Sequence, residues 1–217
     1  MSRDGNSIIR FFLAGSGYNQ IGPRLPQRAQ INGDAASRRA GATALALMLS
    51  ALDTMPKPLI GRVQGQAYGG GLGLISVCDL AIGVTGARFG LTETRLGLIP
   101  ATISPYVLAR IGGAAARRHM LASRLFDAAE AVRIGLLAQA VAPEALDGAI
   151  EAEVAPFLEC APQAVAEAKA LIRRLTPAID AERIAATIEL LVSRWQSPEA
   201  AEGIAAFLAK RKAVWAR

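Results

Sequence analysis

The chain has 217 residues, of which 52% are hydrophobic and only 19% are charged. This composition excludes an intrinsically disordered chain, because so much apolar side-chain surface must be buried in a core. Aromatic residues make up only 5%, so the core consists mainly of Ala, Leu, Ile and Val. An aliphatic core of this kind favours helices and argues against an all-β sandwich. The length suits one domain.

The formal charge is +6, from 24 Lys and Arg residues against 18 Asp and Glu residues. The basic residues stand singly or in pairs, as at Arg117-Arg118 and Arg173-Arg174. They lack the interleaved aromatic residues of surfaces that stack nucleic-acid bases. A small polyanionic ligand explains the charge equally well, and we expect no nucleic-acid partner.

The cysteines and the hydropathy pattern bear on the location of the protein. Cys78 and Cys160 lie far apart within apolar stretches, which is typical of reduced structural thiols rather than of a disulfide framework. No uninterrupted apolar run reaches the roughly 18 residues of a membrane span, and the first residues lack a convincing signal-peptide cleavage site. We therefore expect a cytoplasmic protein without membrane association.

The first half of the chain predicts alternating strands and helices. Residues 1–34 show no sustained periodicity, and no element is predicted there. Asp34 is a candidate N-cap for an amphipathic helix that stops at Met55-Pro56. A strand at 58–63 then precedes the glycine cluster 69–71, a buried helix at 72–77 and a second strand at 80–84. Residues 88–100 are expected to form a loop or a short helical turn.

The pattern after Pro100 is almost wholly helical. Segments 103–113, 114–125 and 127–141 predict helices, and the last of these ends in a short strand. From Pro143 onward the prolines separate only helices. We accordingly divide the chain into an irregular segment at 1–34, an α/β core at 35–142 and a helical region at 143–217.

The glycine cluster Gly69-Gly70-Gly71 is the first candidate site. Residues without Cβ let backbone N–H groups approach a ligand closely at a helix N-terminus. The dinucleotide-binding pattern G-x-G-x-x-G does not occur among these glycines. The structural alternative is that they only permit close packing of the helix on a strand.

Glu93, in the segment LTETRLGLIP at 91–100, is the second candidate. A carboxyl group in apolar surroundings has a raised pKa, and it can act as a general acid or base near neutral pH. The alternative is a solvated or ion-paired glutamate, with Arg88, Arg95 or Arg110 as its partner.

Four segments together resemble the enoyl-CoA hydratase/isomerase, or crotonase, family. They are QGQAYGGGLGLISVCDLAI, RFGLTETRLGLIPATISPYVLARIGG, DAAEAVRIGLLAQAV and EGIAAFLAKRKAVW, in matching order and spacing. The resemblance extends from about Leu45 to Arg217. The stretch LTETRLGLIPATISPYV is most similar to the branch of methylglutaconyl-CoA and isoprenoid-type glutaconyl-CoA hydratases.

The resemblance implies a fold, a ligand and roles for four residues. The fold is an α/β spiral of ββα turns followed by a helical region that forms trimers or dimers of trimers. The ligand is an acyl-CoA thioester, in which coenzyme A is the carrier part of the substrate and no separate cofactor is needed. Gly70 would donate its backbone N–H to the thioester oxygen, and Glu93 would be the acid/base. Phe207 and Lys210 would contact the coenzyme A of a neighbouring subunit, although an amphipathic terminal helix with a solvated cationic end explains both equally well.

Two departures from the family pattern bear on activity. Many hydratases carry a first glutamate three residues after the oxyanion glycine, where this chain has Gly73. The loop that supplies the second oxyanion N–H has only a faint counterpart at Ala14 and Gly15, so we expect the N-terminal turns to be missing or altered. Loss of one such donor costs roughly 100- to 1000-fold in rate.

Several other polar residues receive structural interpretations. His119 is the only histidine, so we expect a surface or packed side chain and no metal site. Asp79 matches a structural Cys-Asp pair of the family. The hydroxyl groups of Ser76, Thr92 and Ser104 are expected to cap or pack rather than to position a water molecule.

The sequence thus predicts a hydratase that adds water to a branched or carboxylated 2-enoyl-CoA. One alternative is an enoyl-CoA isomerase with Glu93 as its sole proton shuttle. The other is an inactive truncated relative that only binds coenzyme A or oligomerises.

Overall fold

A computed structural model of the chain describes residues 9–13 and 34–216. A four-stranded parallel sheet contains β1 (Ile9–Leu13), β2 (Leu59–Val63), β4 (Leu80–Val84) and β7 (Gln139–Val141), hydrogen-bonded in that order. The strands predicted near 58–63, 80–84 and at the end of 127–141 are confirmed. The strand β1 is a correction, because it lies within the segment 1–34 for which no element was predicted.

A smaller sheet of three strands lies beside the first. It contains β3 (Ala67–Tyr68), β5 (Arg88–Gly90) and β6 (Phe126–Asp127), with β3 parallel and β6 antiparallel to β5. The segment 88–100 therefore begins with a strand, which the sequence did not predict. Its next residues form the expected short helical turn, a 3₁₀ turn at Glu93–Leu96 that we call the Glu93 turn.

The helices follow the predicted order, and several begin at a side-chain cap or a proline. Asp34, for example, accepts a hydrogen bond of 2.8 Å from the N–H of Ser37, which satisfies one of the free donors of the first turn. The helices are α1 (Ala35–Thr54), α2 (Gly70–Ser76), α3 (Ser104–Leu121), α4 (Ala128–Arg133), α5 (Leu146–Leu158), α6 (Pro162–Leu175), α7 (Ala181–Trp195) and α8 (Pro198–Leu208). Gly112 has a non-helical backbone with φ of 72°, so α3 is kinked where the sequence separates two helical segments.

The main core lies between the larger sheet and the helices that cover it. Helix α2 is buried from Gly71 to Ser76, it contacts the strand β3 and the helix α3, and its residues belong to the same core as those of β2 and β4. A second, smaller core joins α7 to α1 and contains Ala42, Ala46, Ile188 and Val192. This second core brings the C-terminal helices against the N-terminal part of the described chain.

The two cysteines differ in their surroundings. Cys78 is buried, and desolvation raises the pKa of its thiol to about 12. Cys160 is exposed, so the expectation of a structural thiol within the core holds for Cys78 and is wrong for Cys160. The apolar neighbours of Cys160 lie on a helix end that faces solvent.

Candidate active site

A cavity of about 470 Å³ lies between α1, the glycine cluster, the Glu93 turn and the C-terminal helices α7 and α8. Most of its wall is apolar, and its charged lining residues are one acid and two arginines. The lining residues are Arg38, Gly41, Ala42, Leu45, Tyr68, Gly69, Gly70, Thr92, Glu93, Arg95, Leu96, Leu98, Ile99, Pro100, Ala101, Thr102, Ile103, Leu191, Trp195, Ile204 and Phe207. The structure therefore brings together three of the four predicted site residues, Gly70, Glu93 and Phe207.

The glycine cluster forms one wall of this cavity. Gly69 has φ of +50°, and its N–H donates to the carbonyl of Gly90 at 3.0 Å, which ties the turn to β5. A Cβ on Gly69 would lie 2.9 Å from Oε1 of Glu93. Only glycine therefore combines this backbone conformation with so close an approach of the carboxyl group.

Gly70 opens directly onto the cavity. An ideal Cβ on this residue has no heavy atom within 4 Å. Gly70 is also the first residue of α2, and N–H groups of a first helical turn have no carbonyl partner within their own helix. The backbone N–H of Gly70 is therefore a candidate donor to a ligand in the cavity.

Glu93 presents a buried carboxyl group to the cavity, next to Gly69. Its Oε2 atom is inaccessible to solvent and has no hydrogen-bond partner among the described residues. Desolvation raises the pKa of Glu93 to about 7, although a hydrogen bond from its own backbone lowers it slightly. A carboxyl group with this pKa exchanges protons readily near neutral pH.

The ion-pair alternative for Glu93 finds no support among the described residues. Arg110 donates to the carbonyl oxygens of Cys78, Asp79 and Leu136. Arg88 lies in a separate surface depression beside Phe126. Arg95 lines the cavity, but no ion pair joins it to Glu93 within residues 34–216.

The Glu93 turn is closed by backbone hydrogen bonds and anchored by a side chain. Gly97, with φ of +67°, ends the turn, and the N–H of Leu98 donates to the carbonyl of Glu93 at 3.0 Å. The hydroxyl of Thr94 contacts the hydroxyl of Ser123 and donates to the carbonyl of Met120 at 3.3 Å. These contacts fix the turn against the C-terminal end of α3.

The space beside Gly73, where many hydratases of the family carry a first glutamate, is filled by the side chain of Ile103. A Cβ on Gly73 would lie 2.5 Å from Cγ2 and 3.0 Å from Cβ of Ile103. Ile103 is only 2% exposed, so its side chain has little room to move. Within the described chain, Glu93 is therefore the single carboxyl group that lines the cavity.

The predicted structural roles of the neighbouring polar residues agree with their contacts. Ser76 and Ser104 donate their hydroxyl groups to the carbonyls of Leu72 and Pro100, at 2.7 and 2.6 Å. Thr92 differs, because it lines the cavity.

Asp79 and His119 also make structural contacts. Asp79 accepts from the N–H of Leu59 and from Lys169, both at 2.7 Å. His119 is buried, packs on Phe126 and lies 3.2 Å from Glu130. No group of His, Cys, Asp and Glu side chains in the described part of the chain is arranged to hold a metal ion.

The two residues expected to contact coenzyme A are separated. Phe207 lines the cavity of its own chain, beside Ile204. Lys210 lies beyond the end of α8, is exposed and does not line the cavity. The faint loop counterpart at Ala14 and Gly15 lies outside the described residues.

Among the cavity residues that sequence analysis missed, Arg38, Leu191 and Trp195 come from distant parts of the chain. The guanidinium of Arg38 stacks over the ring of Trp195, 5.0 Å from its centroid, and Leu191 lies nearby in the same wall. The helical spacing of Leu191 and Trp195 marks one face of α7, but it does not show which surface that face contacts.

None of the helices described between residues 34 and 216 is long and apolar enough to cross a membrane.

Comparison with known proteins identifies relatives over most of the chain. The profile of the enoyl-CoA hydratase/isomerase family matches residues 24–217, which begins upstream of the resemblance seen from Leu45. The curated enoyl-CoA hydratase ACTT6 of Alternaria alternata is 35% identical over 171 residues, which cover 78% of this chain and 56% of the relative. The chain thus spans little more than half the length of this curated relative.

Solved structures show the same fold. An enoyl-CoA hydratase from Mycobacterium avium has a TM-score of 0.76 at 33% identity, covering 84% of this chain and 72% of the other. An enoyl-CoA hydratase from Shewanella pealeana has a TM-score of 0.72 at 37% identity, covering 96% of this chain and 78% of the other. The crotonase-type α/β fold predicted from the sequence is confirmed.

Proposed function

The chain belongs to the enoyl-CoA hydratase/isomerase family, and we propose that it adds water across the double bond of a 2-enoyl-CoA thioester. The observation that carries this proposal is the buried Glu93 carboxyl group, whose pKa is about 7, in the same cavity as the open backbone at Gly70. The rest of the cavity is mainly apolar, which suits an acyl chain.

The two walls divide the chemistry between them. Attack of water on the β-carbon of a conjugated enoyl thioester moves negative charge onto the thioester oxygen. The N–H of Gly70 stabilises that charge, because a fixed donor in a water-poor site needs no reorganisation during the reaction. Family resemblance assigns this role to Gly70, and its open position in the cavity supports it.

Glu93 performs both proton transfers in this scheme. As a carboxylate it accepts a proton from the attacking water while the oxygen bonds to the β-carbon. It then returns that proton to the α-carbon, so that the elements of one water molecule are added and Glu93 regains its charge. A pKa near the working pH suits a group that must both accept and donate.

The charged residues of the cavity support a carboxylated acyl group. Arg38 and Arg95 both line it, and Arg95 follows Glu93 by two residues on the same turn. A guanidinium binds a carboxylate by charge-assisted hydrogen bonds. These arginines favour a glutaconyl-type substrate over a neutral one, as does the resemblance to the methylglutaconyl-CoA branch.

Phe207 is proposed to contact the coenzyme A part of the ligand. It is 49% exposed and lines the cavity of its own chain, so this contact needs no second subunit. Lys210 lies outside the cavity lining, and its proposed role is attraction of the phosphate groups from the protein surface.

We also propose a homotrimer or a dimer of trimers. Helix α6 has no buried residue and exposes Leu171, Ile172 and Leu175. An apolar face of this kind is typical of a surface that another subunit covers. Light scattering of the purified protein should give three or six times the mass of one chain, and a monomeric mass would refute the assembly.

One observation favours isomerisation as a second candidate function. Ile103 occupies the space where many hydratases carry their first glutamate, leaving a single carboxyl group at the cavity. One carboxyl group suffices to remove a proton from one carbon and return it to another. Double-bond migration would use the same Gly70 N–H and the same Glu93.

Turnover in water labelled with oxygen-18 separates these functions. The protein is incubated with methylglutaconyl-CoA and with crotonyl-CoA, and the products are analysed by mass spectrometry. Hydration incorporates the label into the product, whereas isomerisation gives a product of unchanged mass and altered retention. No turnover of either substrate by the folded protein would contradict both proposals and favour an inactive relative.

The arginine hypothesis has its own matched comparison. The variant Arg95→Gln should raise KM for methylglutaconyl-CoA by about 10-fold, the lower end expected for a charged hydrogen bond, and leave KM for crotonyl-CoA unchanged. Arg183→Gln on α7, which makes the same change outside the cavity lining, is the control. An equal rise for both substrates would mean that Arg95 contacts coenzyme A instead.

A further inference from the structure

The Glu93 turn lies directly against the backbone of α8. A Cβ on Gly97 would lie 2.4 Å from the carbonyl oxygen of Glu199, and a Cβ on Gly203 would lie 2.5 Å from the carbonyl of Leu96. Both distances are far shorter than any real Cβ contact. Two glycines, one on each side, therefore permit main-chain contact between the turn and a helix about 100 residues further along the chain.

Arg194 adds a directional bond at the same contact. Its Nε donates to the carbonyl of Gly97 at 2.7 Å, and its guanidinium also pairs with the carboxylate of Glu199. Gly97 is the residue that ends the Glu93 turn. Arg194 thus links α7, the start of α8 and the end of the turn through one side chain.

The opposite side of the turn is held by α3. Thr94 contacts Ser123 and the carbonyl of Met120, so the turn lies between fixed groups on both sides. If the contact with α8 were removed, only the α3 side would remain. The carboxyl group of Glu93 would then be free to move with the turn and to meet water.

We propose that the C-terminal helices α7 and α8 position Glu93 for its chemistry, with Arg194 as the positioning residue and the Gly97–Gly203 contact as the second support. This inference rests on the proposed role of Glu93. It makes residues 194–203 part of the active-site structure, although Arg194 lies outside the cavity lining.

The first test is the ionisation of Glu93 in the free protein, followed by ¹³C NMR of labelled glutamate, with Glu93→Gln used to assign the signal. The charged groups around the turn are Arg95 on the turn, Arg38 on α1, Arg194 on α7 and Glu199 on α8. In Arg194→Met and Gly203→Ala the pKa of Glu93 should fall from about 7 toward about 4.3, because a displaced turn admits water to the carboxyl group.

Two controls separate positioning from general destabilisation. Arg183→Met makes the same change elsewhere on α7, and Gly148→Ala places a methyl group on α5, where a Cβ meets nothing within 4 Å. Neither should move the pKa of Glu93. Arg194→Lys retains one donor, so the pKa of Glu93 in this variant should fall less than in Arg194→Met. This comparison with the wild type remains possible even if Arg194→Met fails to fold.

The kinetic test distinguishes this inference from the proposed function. With an active wild type, Arg194→Met should lower kcat by about 10- to 100-fold, the scale of a misplacement near 1 Å, and change KM less than twofold. If the wild type is inactive, the proposed function fails while the pKa comparison still tests the positioning. Folded Arg194→Met and Gly203→Ala with the wild-type pKa of Glu93 would overturn the inference.

Discussion

The two walls of the cavity are built in different ways. The wall at Gly70 consists of main chain within one short segment, from β3 through the glycine cluster to α2. The wall at Glu93 presents one side chain on a turn that contacts α3 and α8. The backbone donor therefore depends on local sequence, whereas the placement and the pKa of the acid depend on distant parts of the chain.

The largest expected effect comes from removing the acid while the glycine wall stays intact. Glu93→Gln preserves the shape of the side chain but cannot accept and return a proton. Its kcat should be lower by about 10²- to 10⁴-fold, the usual contribution of positioned proton transfer. Loss of the enoyl-thioester absorbance measures this rate, and an unchanged rate in the variant would place the proton transfer elsewhere.

The pH dependence of stability provides a test that needs no substrate. The pKa of Glu93 is about 7 in the folded chain and about 4.3 when unfolded, so the folded state binds more protons between these values. The stabilising contribution of Glu93 to folding is fully present below about pH 4 and is lost as the pH rises through 7, by at most about 4 kcal/mol.

Urea unfolding of the wild type and of Glu93→Gln between pH 5 and 8 measures this contribution. The difference in unfolding free energy between the two proteins should shift with pH in favour of the variant as the pH rises. A constant difference across this range would show that Glu93 ionises normally.

Substitution of Gly73, at the position of the missing glutamate, should have a smaller effect, which is on stability. Gly73→Glu should lower the free energy of unfolding by about 1–3 kcal/mol, because its Cβ collides with Ile103. The same substitution in an Ile103→Ala background should cost less, since the colliding Cγ2 atom is gone. Equal costs in both backgrounds, measured by urea unfolding, would contradict a steric exclusion of the second acid.

The smallest expected effects are changes in stability on substitution of the adjacent glycines Gly69 and Gly70. Gly69→Ala should lower stability by about 1–2 kcal/mol, because φ is +50° and the new Cβ meets Glu93. Gly70→Ala has open space and should leave thermal stability unchanged or slightly higher. A similar loss in both variants would mean that the cluster is packed uniformly rather than built around the carboxyl group.

The wall at Gly70, which is built from one short segment of the chain, was largely predictable from sequence. The strand at 58–63, the glycine turn, the buried helix and the strand at 80–84 follow from short apolar runs interrupted by glycines. The C-terminal helices follow in the same way from their prolines and caps. The strand β1 was not predicted, because the Gly- and Pro-containing segment around it shows no strand periodicity. The strand forms by parallel pairing with β2, about 50 residues further along the chain.

The wall at Glu93 was predictable only in part. The polar Glu93 within an apolar segment is visible in the sequence, but its burial is produced by residues that no local pattern connects to it. Arg38 and Trp195 come together from opposite ends of the described chain, and the Gly97–Gly203 contact is equally non-local. The steric exclusion at Gly73 requires the position of Ile103, which periodicity does not give.

The central claim is that Glu93 holds a buried carboxyl group that exchanges protons near neutral pH, and its titration by ¹³C NMR in the 217-residue protein tests this most directly. The account predicts half-ionisation near pH 7. Half-ionisation near pH 4.3, the ordinary value for a glutamate, would contradict it, because Glu93 would then be a solvated carboxylate without the environment that its proposed chemistry requires.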